Sequence, residues 1–302
     1  DTPPHPTYGT GTFNPARIIE SYVNSDIDLT TYGFGVNSNS NCYYQLKFGE
    51  SYGASSSGVT AYPNMAVTGQ KYVWNAVYDY EDFVGYSSGT INAGSSSSRF
   101  LTNAPSSGDI QFTENAYLYV NTLTSGNIDY AYIVTKASDG STINTAKINN
   151  QYKALPTSSA RFLRFSSGVN NINQILPANI TLGGQPIINS TDYAYTIQFF
   201  NASNIQVTEQ YRYVINSPCS KYTSYRLHFL NKLGGYDSFT FFKQNTFTSE
   251  IKRDNFKANL GVYGATSYVY TKQQRAITQF STKIKDTISC NSDWVTEAQM
   301  LW

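Results

Sequence analysis

The chain has 302 residues, of which 14% are charged and 15% aromatic, and a formal net charge of +1. That length exceeds one ordinary sandwich and suits two or three domains. A charge so near zero sets up no long-range field toward nucleic acid or an acidic membrane, and no run of about 18 apolar residues is present to form a transmembrane helix.

The low charge is unusual, since an average soluble protein is about 25% charged. Tyr (26) and Phe (17) are heavily used while Met (2) and His (2) are scarce, so Tyr, Ser, Thr and Asn form the polar surface. Aromatic residues suit pleated, half-buried strands and Gly, Asn and Ser supply turns, which argues for an all-β fold. A surface rich in Tyr and poor in charge also fits one covered by neighbours; an extracellular carbohydrate binder carries the same bias. Cys42, Cys219 and Cys290 have no metal-ligand spacing and leave one thiol over in any disulfide scheme. All three read as reduced, small core residues, consistent with assembly in a cytosol. The opening Asp1-Thr2-Pro3-Pro4-His5-Pro6 has neither the basic nor the apolar part of a signal peptide and no initiating Met, which points to a processed or incomplete start.

Taken in order, residues 1–14 read as an extended arm. Asn14 can cap a helix whose first position is Pro15, and Ile18, Ile19, Tyr22 and Val23 follow at helical spacing, predicting a short helix over 15–23. Strands are expected at 32–36 and 42–48, then a Tyr/Trp-rich segment over 71–82, completing a first β-sandwich over 15–104. Residues 103–109 read as a linker. A second sandwich of immunoglobulin-like size is expected over 105–217. Its strands fall near 117–120, 132–136, 142–148, 161–165, 179–182, 193–199 and 205–214, with Asp139-Gly140 as a hairpin turn. The remaining 218–302 reads as mainly β. It opens on a hairpin in which Tyr225, Leu227 and Phe229 alternate with Arg226 and His228, and Phe239 and Phe241 alternate with Ser238 and Thr240, about the turn Asn231-Lys232-Leu233-Gly234-Gly235. A further short strand is expected at 267–270. A long alternating run follows, containing Phe280, Thr282, Ile284 and Ile288. Ser292 is placed to cap a terminal helix with Trp294, Ala298, Leu301 and Trp302 on one face. A helix stopping on Leu301-Trp302 without a C-cap must dock, or the chain runs on past residue 302; the second is the expectation.

The run Tyr225-Arg226-Leu227-His228-Phe229-Leu230-Asn231-Lys232-Leu233-Gly234-Gly235-Tyr236-Asp237-Ser238-Phe239 resembles one in virion structural proteins of tailed phages, particularly phages of Bacteroidetes, crAss-like ones included. Phe13-Asn14-Pro15-Ala16-Arg17-Ile18-Ile19-Glu20-Ser21-Tyr22-Val23 and Tyr43-Tyr44-Gln45-Leu46-Lys47-Phe48-Gly49-Glu50-Ser51-Tyr52 resemble the same group. The resemblance implies a tail- or portal-proximal structural part located in the virion, and carries no active site with it.

Nothing in the chain assembles a reactive constellation. His5 and His228 are too few for a His-rich metal site, and His228 reads as a half-buried strand residue. Asp79, Glu81 and Asp82 form the tightest acidic cluster, but Asp82 points away from the other two on a strand, which suits a solvated edge. Gly183-Gly184 and Gly234-Gly235 lack the context of phosphate loops. The basic residues from Lys243 to Lys285 are diluted by Glu250 and Asp254 and read as a solvated face. The chain is therefore expected to be non-enzymatic, without cofactor or metal. It should act through aromatic faces that meet other copies and other virion proteins, at Tyr225, Phe229, Tyr236, Phe239, Trp294 and Trp302. The alternative is a carbohydrate-binding adhesin in which Trp74, Tyr78 and Tyr80 share a strand face and stack on glycan rings.

Overall fold

The computed structural model describes residues 15–24, 27–36, 38–48, 66–77, 92–122, 128–155, 162–216, 221–258, 260–269, 276–292, 294–300 and 302. The first elements are α1 (Ala16–Ile19), β1 (Phe34–Val36), β2 (Asn41–Tyr44), β3 (Lys47–Phe48), β4 (Ala66–Val67), β5 (Lys71–Trp74), β6 (Asn92–Ala93) and β7 (Ser107–Ile110). Then come β8 (Tyr117–Thr122), β9 (Tyr130–Lys136), β10 (Thr142–Asn149), β11 (Phe162–Ser166), α2 (Val169–Ile172), β12 (Ile180–Leu182), β13 (Ala194–Phe200) and β14 (Tyr211–Ile215). The chain continues through β15 (Tyr225–Leu230), β16 (Tyr236–Phe241), β17 (Thr246–Lys257), β18 (Val262–Tyr263), β19 (Tyr268–Val269), β20 (Ile277–Ser289) and α3 (Glu297–Met300). The fold is all-β.

These residues fall into two compact units, 1–218 with 226–239 and 295–302, and 219–225 with 240–294. The first unit is a β-sandwich of a four-stranded sheet, β1-β11-β8-β6, facing a six-stranded one, β12-β10-β9-β13-β14-β7. Neighbours are antiparallel except β6 with β8 and β7 with β14, which are parallel. The two inner faces share one core, in which Phe34 packs on Phe165 at 4.9 Å and on Phe199 at 5.1 Å between ring centroids.

The boundary expected at 104/105 is therefore not a boundary. Strand β1 pairs with β11 in the register Phe34↔Phe165, and β6 pairs with β8. Both are two or three residues long, too short to stand as a sheet of their own, so they complete a sheet begun by later strands. Within the segment expected to be the first sandwich, β2 pairs with β5 and β3 with β4, with no further partner strand among the described residues.

Local chemistry explains most of the individual strands. At the β9–β10 turn Gly140 takes φ +84 and donates its N–H to the Ala137 carbonyl at 3.0 Å. This is the three-residue loop that ends on a left-handed glycine, in place of the expected two-residue turn. The Asp139 carboxylate accepts the Ser141 N–H at 2.8 Å. The strand expected over 205–214 is confined to β14. Before it, backbone pairing shrinks to one bridge of Phe200 with Gln206 and the Val207 N–H on the Phe199 carbonyl at 2.9 Å. Thr208 adds to it, its Oγ1 accepting from Phe199 N and its carbonyl from Gln198 Nε2, both at 3.0 Å. The expected N-terminal helix contracts to α1 plus a single 3-10 turn over Glu20–Tyr22, with Pro15 at the cap and Ile19 as its buried residue. Asn14 and the expected arm lie outside the described residues. Helix α3 is capped by Thr296 and not by Ser292: Thr296 Oγ1 accepts the Gln299 N–H at 3.2 Å while Gln299 Oε1 accepts the Thr296 N–H at 2.9 Å, a reciprocal capping box. Cys42 is half-buried, and burial raises its thiol pKa, but Cys290 is exposed, so it is not the core residue expected. Cys219 lies outside the described residues.

Phe199 touches Phe34, Phe100 and Phe165 with no part of it reaching solvent. Phe199→Ala is expected to cost about 3–5 kcal/mol of stability, read from denaturant unfolding.

Candidate assembly surface

The four-stranded sheet is buried on both sides, apolar on the one and mixed on the other, where Arg164 is buried against Asp28 at 3.1 Å and the Thr31 carbonyl at 2.8 Å. Leu118, Val120, Leu163 and Phe165 face the sandwich core, while Tyr117, Tyr119 and Phe162 face outward into a second cluster with Leu101 and Leu233. Every residue of β8 and β11 is buried. The cover on the outer side is the turn between β15 and β16. Asn231 organises it, its Oδ1 accepting the N–H groups of Leu233 and Gly235 at 2.9 and 3.1 Å while its Nδ2 donates to the Leu101 carbonyl at 2.8 Å. Gly234 takes φ +91, and a Cβ on Gly235 would stand 2.6 Å from the Leu101 carbonyl oxygen and 3.1 Å from the Tyr119 ring. Leu233 is thereby pressed fully into the sheet.

Charge holds the same element down. Arg226 Nη1 meets Glu114 Oε2 at 2.8 Å with both side chains about one-tenth exposed or less, and Glu114 Oε2 also accepts the Gln111 N–H at 2.9 Å. His228 Nδ1 and Ser238 Oγ lie 2.8 Å apart. Burial and then the Arg226 charge hold the imidazole below its ordinary pKa. Serine beside histidine is the start of a nucleophilic site, but Glu114, whose charge His228 feels, is engaged by Arg226. Asp237 is buried, and burial raises its pKa against hydrogen bonds from Thr102, Trp302 and Asn231. Among the described residues no three His, Cys, Asp or Glu side chains gather as metal ligands, and no helix is long and apolar enough to cross a membrane.

Most of the ring residues expected to meet partners are engaged within the chain. Trp302 donates its Nε1–H to Asp237 Oδ2 at 2.7 Å and packs on Phe229 at 5.7 Å and Phe239 at 6.0 Å between centroids. Tyr236 lies 6.2 Å from Tyr119, and Tyr225 is half-buried. Trp294 differs, being 97% exposed. Of the face expected for glycan stacking only Trp74 lies among the described residues. Trp74 is half-buried against the outer cluster, donates Nε1–H to the Leu233 carbonyl at 3.1 Å and packs on Tyr72 at 5.6 Å. It lines a cleft of about 500 Å³ with Ala16, Ile19, Val23, Tyr44 and Val73. Tyr78 and Tyr80, like Asp79, Glu81 and Asp82, lie outside the described residues.

The uncovered apolar surface lies instead in the second unit. Strands β17 and β20, 12 and 13 residues long, pair only with each other among the described residues, and almost every position on them is exposed. Phe247 stands opposite Ile288, and Ile251 opposite Ile284. Alternation places these four on one face with Ser249, Asp286, Arg253 and Thr282, and their exposure runs from 44% at Ile288 to 63% at Ile284. Glu250, Lys252 and Asp254 share the other face with Lys285 and Lys283. The register slips between Asp254 and Asn255, leaving Phe280 as an extra residue whose ring meets Phe256 at 6.2 Å between centroids. The alternation of 280–288 is visible in the sequence. The partner strand was missed, although Phe247 and Ile251 alternate with Thr248 and Glu250 in the same manner.

No protein-family model matches the chain, and a comparison with curated proteins finds no match.

Two outcomes follow from the hairpin. Glu114→Ala strands the Arg226 charge and should cost about 3–5 kcal/mol in denaturant unfolding, whereas Glu114→Leu with Arg226→Met should recover most of that loss. The folded-state pKa of His228 is depressed below the unfolded value, so its stability contribution is complete above that value and is lost as pH falls through it toward the folded one. Melting temperature should therefore drop as pH falls below the ordinary histidine value of about 6.5, and His228→Gln should show a shallower drop.

Proposed function

We propose that this chain is a non-enzymatic structural subunit of a bacteriophage virion, in the tail, neck or portal-proximal assembly, and that it acts by packing against other copies and other virion proteins. The observation that carries this reading is the β17–β20 ribbon. An isolated two-stranded ribbon is at best marginally stable in water, and this one presents Phe247, Ile251, Ile284 and Ile288 in a row to solvent. Such a row is a surface waiting for protein. The three sequence runs that resemble virion proteins and the low charge support the same reading. The adhesin alternative rests on the cleft beside Trp74, and selective glycan-array binding abolished by Trp74→Ala would favour it.

Light scattering coupled to size exclusion should give the wild-type chain a mass of several copies. Ile251→Thr with Ile284→Thr should return it to the monomer with little change in melting temperature, because neither side chain belongs to a buried core. Mass spectrometry of the purified particle that encodes the chain should recover it in stoichiometric amount; a monomeric protein absent from the particle would refute the proposal.

A further inference from the structure

We infer that the β17–β20 ribbon is a contact between copies of this chain in which the β17 edge of one copy pairs with the β20 edge of the next. This rests on the subunit reading above and goes beyond it by naming the occupant and the order of strands.

The ribbon has two open edges among the described residues, each a row of backbone donors and acceptors. Natural proteins cap, bend or shorten such edges because they pair readily with other strands. Here neither strand contains a proline, and both run for 12 residues or more.

The charged face decides which edge meets which. Strand β17 carries Glu250, Lys252 and Asp254 there, a net of −1, and β20 carries Lys283 and Lys285, a net of +2. Within the ribbon Glu250 is level with Lys285, Lys252 with Lys283, and Asp254 with Ser281, one step along the face from Lys283. Setting β17 of one copy beside β20 of the next in the same register repeats that arrangement across the junction, with Glu250 against Lys285, Asp254 diagonal to Lys283, and one lysine pair, Lys252 against Lys283. Joining β20 to β20 would instead gather four lysines, and joining β17 to β17 would gather four carboxylates. Like charges directly opposite are destabilising in sheets. Joining unlike edges thus opposes the fewest like charges on this face and keeps both carboxylates beside lysines, which selects a second copy as the occupant.

The apolar face fits the same arrangement. Copies joined in this order extend Phe247, Ile251, Ile284 and Ile288 into a continuous belt, and a closing sheet can turn that belt inward and leave no edge. A lipid occupant is disfavoured because Arg253 and Asp286 lie on that face, and a basic side chain facing the bilayer midplane costs about 2–4 kcal/mol. The slip at Asp254 and Asn255 confines regular pairing to 246–254 and 281–289. A contact in which two different edges meet does not stop at a dimer; it closes into a ring or continues as a filament.

The test uses the full chain and two charge-reversed variants, Glu250→Lys with Asp254→Lys and Lys283→Glu with Lys285→Glu, measured by light scattering at matched concentration. Circular dichroism and melting temperature confirm that each remains folded. Each variant alone should lose the wild-type assembly by tenfold or more in concentration, and an equimolar mixture should restore it, because each reversed edge then meets its complement. Variants that both assemble like the wild type, one variant that assembles while the other does not, or a mixture that fails to recover would each overturn the edge pairing and leave the subunit reading standing. A wild-type chain that stays monomeric at every concentration would overturn both.

Discussion

The structure depends on one constraint: both faces of the sheet β1-β11-β8-β6 are buried, so it has to be covered twice. The six-stranded sheet covers one side by ordinary face-to-face packing, with Phe199 set against Phe34 and Phe165. The other side is closed by a turn of five residues together with Ile27, Trp74 and the Asp28 and Thr31 groups that meet Arg164. That turn succeeds because Asn231 satisfies its own loop and the Leu101 carbonyl together, leaving Leu233 free of polar obligations as it enters the apolar layer. The Arg226–Glu114 pair works to the same end, fixing the approach of β15 to the loop before β8.

The second unit obeys the opposite logic. Where the sandwich leaves almost no apolar side chain of its central strands in water, the β17–β20 ribbon leaves nearly all of its own there. Chemistry of the same kind, alternating rings and branched aliphatics on paired strands, is internal in one unit and external in the other. A protein built this way keeps its folding core and its exposed apolar surface on separate elements, so substitutions on the exposed face of the ribbon leave the packing of the sandwich core untouched.

Much of the architecture was legible in the residues. The all-β class, the Asp139-Gly140 hairpin and the hairpin around Asn231 to Gly235 all followed from alternation and turn chemistry. The division into two successive sandwiches did not survive, because period-2 alternation marks a strand without naming its partner, and β1 finds β11 more than a hundred residues later. The same limit applies to Phe229, Phe239 and Trp302. Alternation shows that a face must be covered, while only the fold shows that these three half-buried rings meet one another within the chain. The cap of α3 was misplaced for a different reason. Ser292 and Thr296 both offer a hydroxyl, and Gln299 three positions after Thr296 makes the reciprocal bond that decides between them.

The lid over the outer face of the central sheet arrives late in the chain. Asn231 meets a partner 130 positions earlier, Leu233 one 159 earlier and Arg226 one 112 earlier. During synthesis, Tyr117, Tyr119 and Phe162 therefore emerge well before the residues that shelter them. Contacts of such long range slow folding, and an exposed aromatic layer invites misassociation while it waits. A nascent chain halted before residue 231 would hold a completed inner core and a sticky outer one, which makes translation of the β15–β16 segment the step that commits the sandwich to its native form.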